Sequence, residues 1–363
     1  MNPKISAIVP VHNAALTLVQ CVESLCRQTV MPLEILLVVN GCSDQSLSLA
    51  YKLSHMHNII RVIELDRPSV TLARKKGLEE SEGDYLIFSD SDDWYKENAL
   101  EILADALKYD ENIEIVNAGY EKVISPRLPI KLVRYGSDKN KVIYRSEWKY
   151  KDYARFYNPI RYPFFSGMCA SLYSRSLLLE RVPESILGNS LRRGEDIIVN
   201  AYAYDSANAI AYIVDPVYCY RFGGITSGIE SLLTDLAAFK VMIDQRFAGI
   251  SPGGASAMTR EHSSYVLNVI ARRYQNAVAC SKKDLQGFYE QAVEDSAIQN
   301  MASLLLSSQG DSHDTELASL FLEADGKALY RYSKRKFWRG RAVTALACRI
   351  ADSEKGRLAY EYR

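Results

Sequence analysis

The chain has 363 residues, 44 Lys and Arg against 44 Asp and Glu, 48% hydrophobic residues and 10% aromatics. This profile points to a globular protein with ample chain to bury a core, and it excludes disordered, collagen-like and membrane-spanning classes. Zero net charge also excludes a protein that binds nucleic acid through its overall charge, though not local patches of one sign.

Length favours one large domain with an appendage, or two domains. The seven cysteines, Cys21, Cys26, Cys42, Cys169, Cys219, Cys280 and Cys348, are scattered, with no CxxC pair and no histidine spacing for zinc. They are expected to be reduced thiols of a cytoplasmic protein. The opening MNPKISAIVPVHN is too briefly apolar for a signal peptide, and no apolar run reaches transmembrane length, so membrane contact is expected to be peripheral.

Ile5–Val11 and Glu34–Asn40 are continuous apolar runs of the kind that a parallel sheet buries on both faces. Between them Leu16, Val19, Val22, Glu23 and Cys26 recur at helical spacing. Further strands are predicted at Ile59–Leu65, Tyr85–Phe88 and Ile113–Val116, with helices at Ser46–Ser54, Val70–Ser81 and Asn98–Leu107. The alternation implies a mostly parallel sheet with right-handed crossovers. Residues 126–162 look irregular and rich in Tyr and Arg. An apolar patch, a helix starting after Arg193 and a strand at Ala209–Val214 follow, and amphipathic helices dominate beyond Gly228. A boundary near residue 230 separates residues 1–229, in halves of about 1–120 and 121–229, from a helical region at 230–363.

The segment GDYLIFSDSDDWY runs four apolar strand residues into Asp90, Ser91, Asp92 and Asp93. Carboxylates at the C-terminal end of a parallel strand stand where open α/β sheets bind ligands. Their mutual repulsion would be relieved by Mg²⁺ or Mn²⁺ shared with the phosphates of a nucleotide. Capping of the helix near Asn98 is the competing explanation.

The order of motifs resembles the family 2 glycosyltransferases, enzymes with the A-type (GT-A) nucleotide-sugar-binding fold. The resemblance rests on Pro10, Val11, His12 and Asn13 after the first strand, on VVNGCSD at Val38–Asp44, on ARKKG at Ala73–Gly77 and on the SDSDD cluster, and it covers about residues 4–228. It implies that Pro10 to Asn13, Asn40 and Asp44 form a nucleotide pocket. The turn carries Val39 and Asn40 where a pair of acids is usual; Asn40 still offers a donor and an acceptor to a base edge, Val39 neither. Asp44 could equally cap the following helix. Arg74 matches an arginine near base and diphosphate, while Lys75 replaces an asparagine of the family element. Asp92 and Asp93 jointly take ribose contact and metal coordination, with Asp90 supporting.

LRRGEDIIVNAYAYD resembles the family's Glu-Asp element opening a helix beneath the acceptor, with Asp196 as general base and Glu195 before it. Acids in a first helical turn also simply suit the helix dipole. Tyr218, Tyr220, Arg221 and Gly223–Gly228 resemble a segment that folds over the donor, with Arg221 meeting the diphosphate. The tyrosines between Tyr135 and Tyr173 could stack on sugars or fill the core, and His55 and His57 are expected on the surface.

The resemblance implies a metal-dependent inverting transfer from a nucleoside diphosphate sugar, with UDP as the leading base, to a surface glycan such as lipopolysaccharide or capsule, free or lipid-linked. A nucleotidyltransferase on a related fold and a catalytically silent sugar-nucleotide-binding scaffold are the alternatives. Residues 327–349 carry eight basic residues and no acid, interleaved with Tyr330, Tyr332, Phe337 and Trp338. This pattern suggests peripheral contact with the inner face of the cytoplasmic membrane; packing against the acidic stretch Asp311–Asp325 or a solvated helix face would also explain it. RNA binding lacks any companion fold signal.

Overall fold

Every residue of β1 (Ile5–Val11) and β2 (Glu34–Asn40) is buried, because both strands lie inside a sheet covered on its two faces. The computed structural model describes residues 3–123, 134–135, 139–159, 161, 167–191, 194–221, 232–247, 249–250, 254–276, 280–307 and 312–361. Alternate strand residues serve different cores. Ala7, Val9, Leu37 and Val39 pack with α1 (Leu18–Cys26), α2 (Ser46–Met56) and α4 (Ala99–Ala106). Ile8, Leu36 and Val38 pack with α3 (Val70–Glu80), α5 (Tyr150–Tyr157), α6 (Arg175–Arg181) and α8 (Glu195–Ser206).

The remaining strands are β3 (Ile60–Leu65), β4 (Tyr85–Phe88), β5 (Trp94–Tyr95), β6 (Ile113–Val123), β7 (Arg134–Tyr135), β8 (Lys141–Tyr144), β9 (Ser171–Ser174) and β10 (Ala209–Arg221). The sheet order is β3-β2-β1-β4-β9-β6-β10-β5. β3, β2, β1 and β4 are parallel, as are β6 and β10, while β9 runs antiparallel between β4 and β6. The expected mostly parallel, helix-flanked GT-A-like sheet is therefore present. The crossovers bring the C-terminal ends of β1, β2 and β4 to one edge.

Several local expectations are corrected. Helix α1 starts at Leu18 and buries Leu18, Cys21, Val22 and Leu25, leaving Leu16 exposed. The chain first turns through Asn13, whose φ is +48°, so the helical register begins later. β6 and β10 extend to Val123 and Arg221, well past the predicted ends. Asp215 and Pro216 hid the length of β10, where register shifts on either side of Pro216 accommodate the proline. Within the stretch expected to be irregular, α5 buries Tyr153, Phe156 and Tyr157 on one face. The buried apolar residues of the patch before Arg175 include Leu172 and Tyr173 of β9.

Beyond α7 (Glu184–Leu187) and β10 the chain is helical among the described residues: α9 (Leu232–Phe247), α10 (Gly254–Ala271), α11 (Arg273–Asn276), α12 (Lys282–Glu294), α13 (Ser296–Ser307), α14 (Ser312–Leu322) and α15 (Gly326–Glu361). Phe239, Ile243 and Phe247 of α9 and Met258 of α10 join the core of α5 and α8, whereas α10 to α15 enclose a third core. A polar clamp adds to the first contact. Glu261 on α10 accepts from Tyr150 Oη at 3.0 Å and Arg161 Nη1 at 3.3 Å, and Arg161 Nη2 also reaches Asp314 of α14 at 2.6 Å. No helix among the described residues is long and apolar enough to cross a membrane.

Candidate active site

The acidic cluster leaves β4 in a tight turn, closed by the Asp93 N–H donating to the Asp90 carbonyl at 3.0 Å. That turn sends the three carboxylates in different directions. Asp90 and Asp92 line a cleft of about 680 Å³ at the C-terminal edge of the sheet. Asp93 turns inward and is 2% exposed, and its Oδ1 accepts the Arg221 N–H at 2.7 Å. Burial, reinforced by the charges of Asp92 and Asp90, pushes its carboxyl well above the usual range.

Arg74 is brought to the same cleft by α3, whose start is fixed by Ser69 Oγ accepting from the Leu72 N–H at 3.3 Å. The guanidinium is buried and forked: Nη2 donates to Asp90 Oδ1 at 2.9 Å and Nη1 to Glu195 Oε1 at 3.2 Å. Its desolvation is outweighed by Asp90 and Glu195, so the arginine is held charged above its ordinary range. Lys75, one residue on, points away and pairs with Glu184 of α7.

Glu195 and Asp196 open α8 after Gly194, which has a φ of +77°. A Cβ there would sit 2.9 Å from the Phe239 ring, so the close approach of α9 and the left-handed backbone both call for glycine. Glu195 lines the cleft, and burial raises its carboxyl against the opposing pull of Arg74. Asp196 is half-buried behind Glu195 and is not among the residues that line the cleft; burial and the adjacent Glu195 charge push its carboxyl up to about 8. Its Oδ1 accepts the Ile197 N–H at 2.8 Å.

The opposite wall comes from the ends of β1 and β2. Pro10, His12, Asn13 and Asn40 line the cleft, while Val11 is buried beneath it. His12 Nδ1 lies 2.8 Å from the Asn40 carbonyl, and Asn13 Oδ1 accepts the Ser43 N–H at 2.8 Å. The Asn40 carboxamide is engaged at both ends, donating to the Val11 carbonyl at 2.9 Å and accepting the Ser69 N–H at 2.9 Å. Asp44 is exposed and receives the N–H groups of Ala15 and Ser46, each at 3.0 Å. Burial raises its carboxyl, but the hydrogen bonds from Ser46 and Ala15 win and lower it.

Arg221 does not line the cleft. The residue is 1% exposed, and its guanidinium donates from Nε to the Asp92 carbonyl at 2.7 Å, reaches Gln20 on α1, and stacks 4.9 Å over Trp94. It braces the acidic turn from behind. Tyr220 lines the cleft, and Tyr218 Oη accepts the Asp90 N–H at 3.0 Å. Gly223–Gly228 lie outside the described residues. Tyr153, Tyr157 and Tyr173 are core residues, and His57 and His55 serve Glu23 and the Tyr51 carbonyl.

Ser69, Thr71, Asn189, Ser190 and Leu191 also line the cleft, beside Pro68, Val70 and the start of α1, and none of them stood out in the sequence. Ser69 carried a signal, a serine just before a helical run. Asn189 carried none, since its carbonyl accepts from Thr71 Oγ1 at 2.7 Å across 118 residues of sequence. No group of three or more ligating side chains is gathered among the described residues.

A family model described as glycosyl transferase family 2 matches residues 6–180. The uncharacterized glycosyltransferase EpsJ of Bacillus subtilis is 28% identical over 224 residues, 61% of this chain and 62% of its own length. Glycosyltransferase GlyA of Streptococcus pneumoniae is 25% identical over 232 residues, 61% of this chain and 31% of its own. The match thus spans less than two thirds of either relative. Residues 1–349 of S. aureus TarS in complex with UDP share the fold, with a TM-score of 0.58 at 16% identity over 93% of this chain and 92% of that one. The same protein in complex with UDP-GlcNAc gives 0.57 at 18%, over 91% and 90%. With the parallel sheet, the acids at the end of β4 and these matches in place, residues 6–180 are identified as a family 2 glycosyltransferase domain, and the fold is of the GT-A type.

Proposed function

We propose that the chain is a metal-dependent, inverting glycosyltransferase that moves a sugar from a nucleoside diphosphate, with UDP as the leading candidate, to a hydroxyl of a growing surface glycan, free or lipid-linked. The observation that carries this reading is the fork of Arg74 between Asp90 and Glu195, which joins the acidic turn of β4 to the start of α8 in one cleft. The presence of UDP-GlcNAc in TarS supports the choice of donor class.

The residues fit Mn²⁺ or Mg²⁺. An ion that shares its coordination with donor phosphates needs only one or two carboxylates, and Asp92 faces the cleft with Asp90 beside it. Bound there, it would offset charge developing on the diphosphate. Asp93, turned inward, serves the turn rather than the ion. Asn40, with both ends of its amide engaged, shapes the pocket, and Arg221 braces it.

Asp196 is the general base. It follows the cleft-lining Glu195 at the start of α8, and burial with the Glu195 charge makes its carboxylate, once ionised, more basic than an ordinary aspartate. The acceptor oxygen then bonds to the anomeric carbon as the bond to the diphosphate breaks, and one displacement inverts the centre. Arg74 keeps Asp90 and Glu195 fixed during this step. The reading is tested by nucleoside diphosphate release from a panel of sugar donors with and without Mn²⁺, alongside calorimetry. Metal-dependent binding of UDP and turnover of a UDP-sugar are expected; absence of metal-dependent binding for every nucleotide would favour the silent scaffold.

A further inference from the structure

Helix α15 sorts its charges and rings by face. Leu329, Tyr330, Tyr332 and Ser333 are buried against the helical core, where α15 packs on α11, α12 and α14. Arg341 also turns inward, donating to the Tyr274 carbonyl at 2.6 Å and stacking 4.8 Å over its ring. Lys336 is held at the side by His313 Nδ1 at 2.9 Å and by Tyr332 Oη at 2.6 Å. These contacts fix the rotation of the helix.

The outward side carries Lys327, Arg331, Lys334, Arg335, Arg339 and Arg349, all exposed. In their midst Trp338 is 54% exposed, with the Arg339 guanidinium 5.5 Å from its ring. Lys327, Arg331, Lys334 and Trp338 fall on one stripe at helical spacing, about 17 Å long, and Arg349 lies further along the same face. No acid occurs between Gly326 and Ala351. Nearby acids lie to one flank: Asp325 is 3.6 Å from Arg331, and Glu316 and Glu323 share a hollow with Arg331 and Arg335.

We propose that this stripe is a docking surface for an anionic lipid bilayer, with the cations on the headgroups and Trp338 at the interface. Charge complementarity identifies the partner. A row of basic side chains on the first part of a helix whose other face is already packed can meet a flat anionic surface, and an exposed indole gains most where one side is apolar and the other wet. The inference rests on α15 alone and is independent of the glycosyltransferase reading.

The test is co-sedimentation of the full chain with vesicles of phosphatidylcholine, with and without phosphatidylglycerol, and with tRNA as a competitor. Binding is expected only to the anionic vesicles and should weaken as salt rises. The double variant Lys327→Glu/Lys334→Glu should lose at least about thirtyfold in affinity, since each cation near an anionic surface is worth about fivefold. Trp338→Ser should remove a blue shift of tryptophan emission seen with vesicles. Both variants change exposed positions, and circular dichroism checks that they fold. Equal binding to neutral vesicles, no binding, unchanged binding by the double variant, or displacement from vesicles by tRNA at equal charge would each overturn the proposal.

Discussion

Arg74 Nη2 lies 2.9 Å from Asp90 Oδ1, an ion pair that ties a buried arginine of α3 to the first acid after β4. Because the other end of the same guanidinium holds Glu195, removing it leaves two carboxylates facing each other with no cation between them. Arg74→Ala should therefore lower stability by about 3 kcal/mol, since an uncompensated part-buried charge costs more than the pair contributes. Urea unfolding reads the loss. Donor turnover should fall at least a hundredfold, and Arg74→Lys should recover stability better than turnover, because an ammonium cannot fork between two acids in the same way.

Asp196→Asn should spare donor binding and abolish transfer. In the wild type, transfer should rise with pH along a limb with an apparent pKa near 8, since the base works only when ionised. Stability should move the other way. The folded-state carboxyl is raised, so its contribution is fully present below about pH 4 and is lost as pH rises through about 8. Asparagine cannot ionise. The melting-temperature gap in favour of the variant should open across that window, by about 1–2 °C for each kcal/mol gained. A gap independent of pH would contradict the assigned environment.

Asp92 and Asp93 should separate cleanly. Asp92→Ala, at the cleft, should remove Mn²⁺ stimulation of nucleoside diphosphate release while leaving the melting temperature nearly unchanged. Asp93→Ala removes the buried acceptor of the Arg221 N–H and should cost about 1–3 kcal/mol. Asp93→Asn keeps an acceptor oxygen there and should stay close to wild type in Mn²⁺ response. Equal loss of that response in Asp92→Ala and Asp93→Asn would mean that both acids serve the ion.

Asn40→Asp tests whether an acid at this turn would improve uridine recognition. The substitution places a carboxylate oxygen against the Val11 carbonyl in place of the Nδ2 donor. Destabilisation of about 2–3 kcal/mol is expected, with no gain in UDP affinity by calorimetry.

Gly194→Ala should slow transfer through position rather than chemistry. The left-handed backbone costs about 1–3 kcal/mol for a residue with a Cβ, and the Phe239 ring 2.9 Å away must shift. Pairing it with Phe239→Leu, which opens room for the methyl group, should restore part of the lost rate. Single-turnover transfer assays measure both.

The continuous apolar runs at Ile5–Val11 and Glu34–Asn40 and the helical periodicities between strands were sufficient to establish a mostly parallel α/β sheet, because burial on two faces leaves few other places for such runs. The acids after Tyr85–Phe88 and before Ile197 were legible as candidates, because charge at the end of a buried strand or the start of a helix has to face a ligand, a counter-ion or water; Asp90, Asp92 and Glu195 line one cleft. Their division was not legible. Which of Asp92 and Asp93 faces the cleft is set by the turn closed between Asp93 and the Asp90 carbonyl and by the contacts of Arg221 with Asp93 and the Asp92 carbonyl. Asn40 and Arg221 offer groups suited to a nucleotide, yet Ser69 and Val11 occupy the first, and the Asp92 carbonyl and Gln20 hold the second. Such partners lie tens to hundreds of residues apart in sequence, where neither periodicity nor motif order reaches. Composition and motif order thus determined the fold class and the chemical types at the site. Only the tertiary structure decided which polar atoms remain available to a ligand, because a hydrogen bond already made inside the protein removes that atom from recognition.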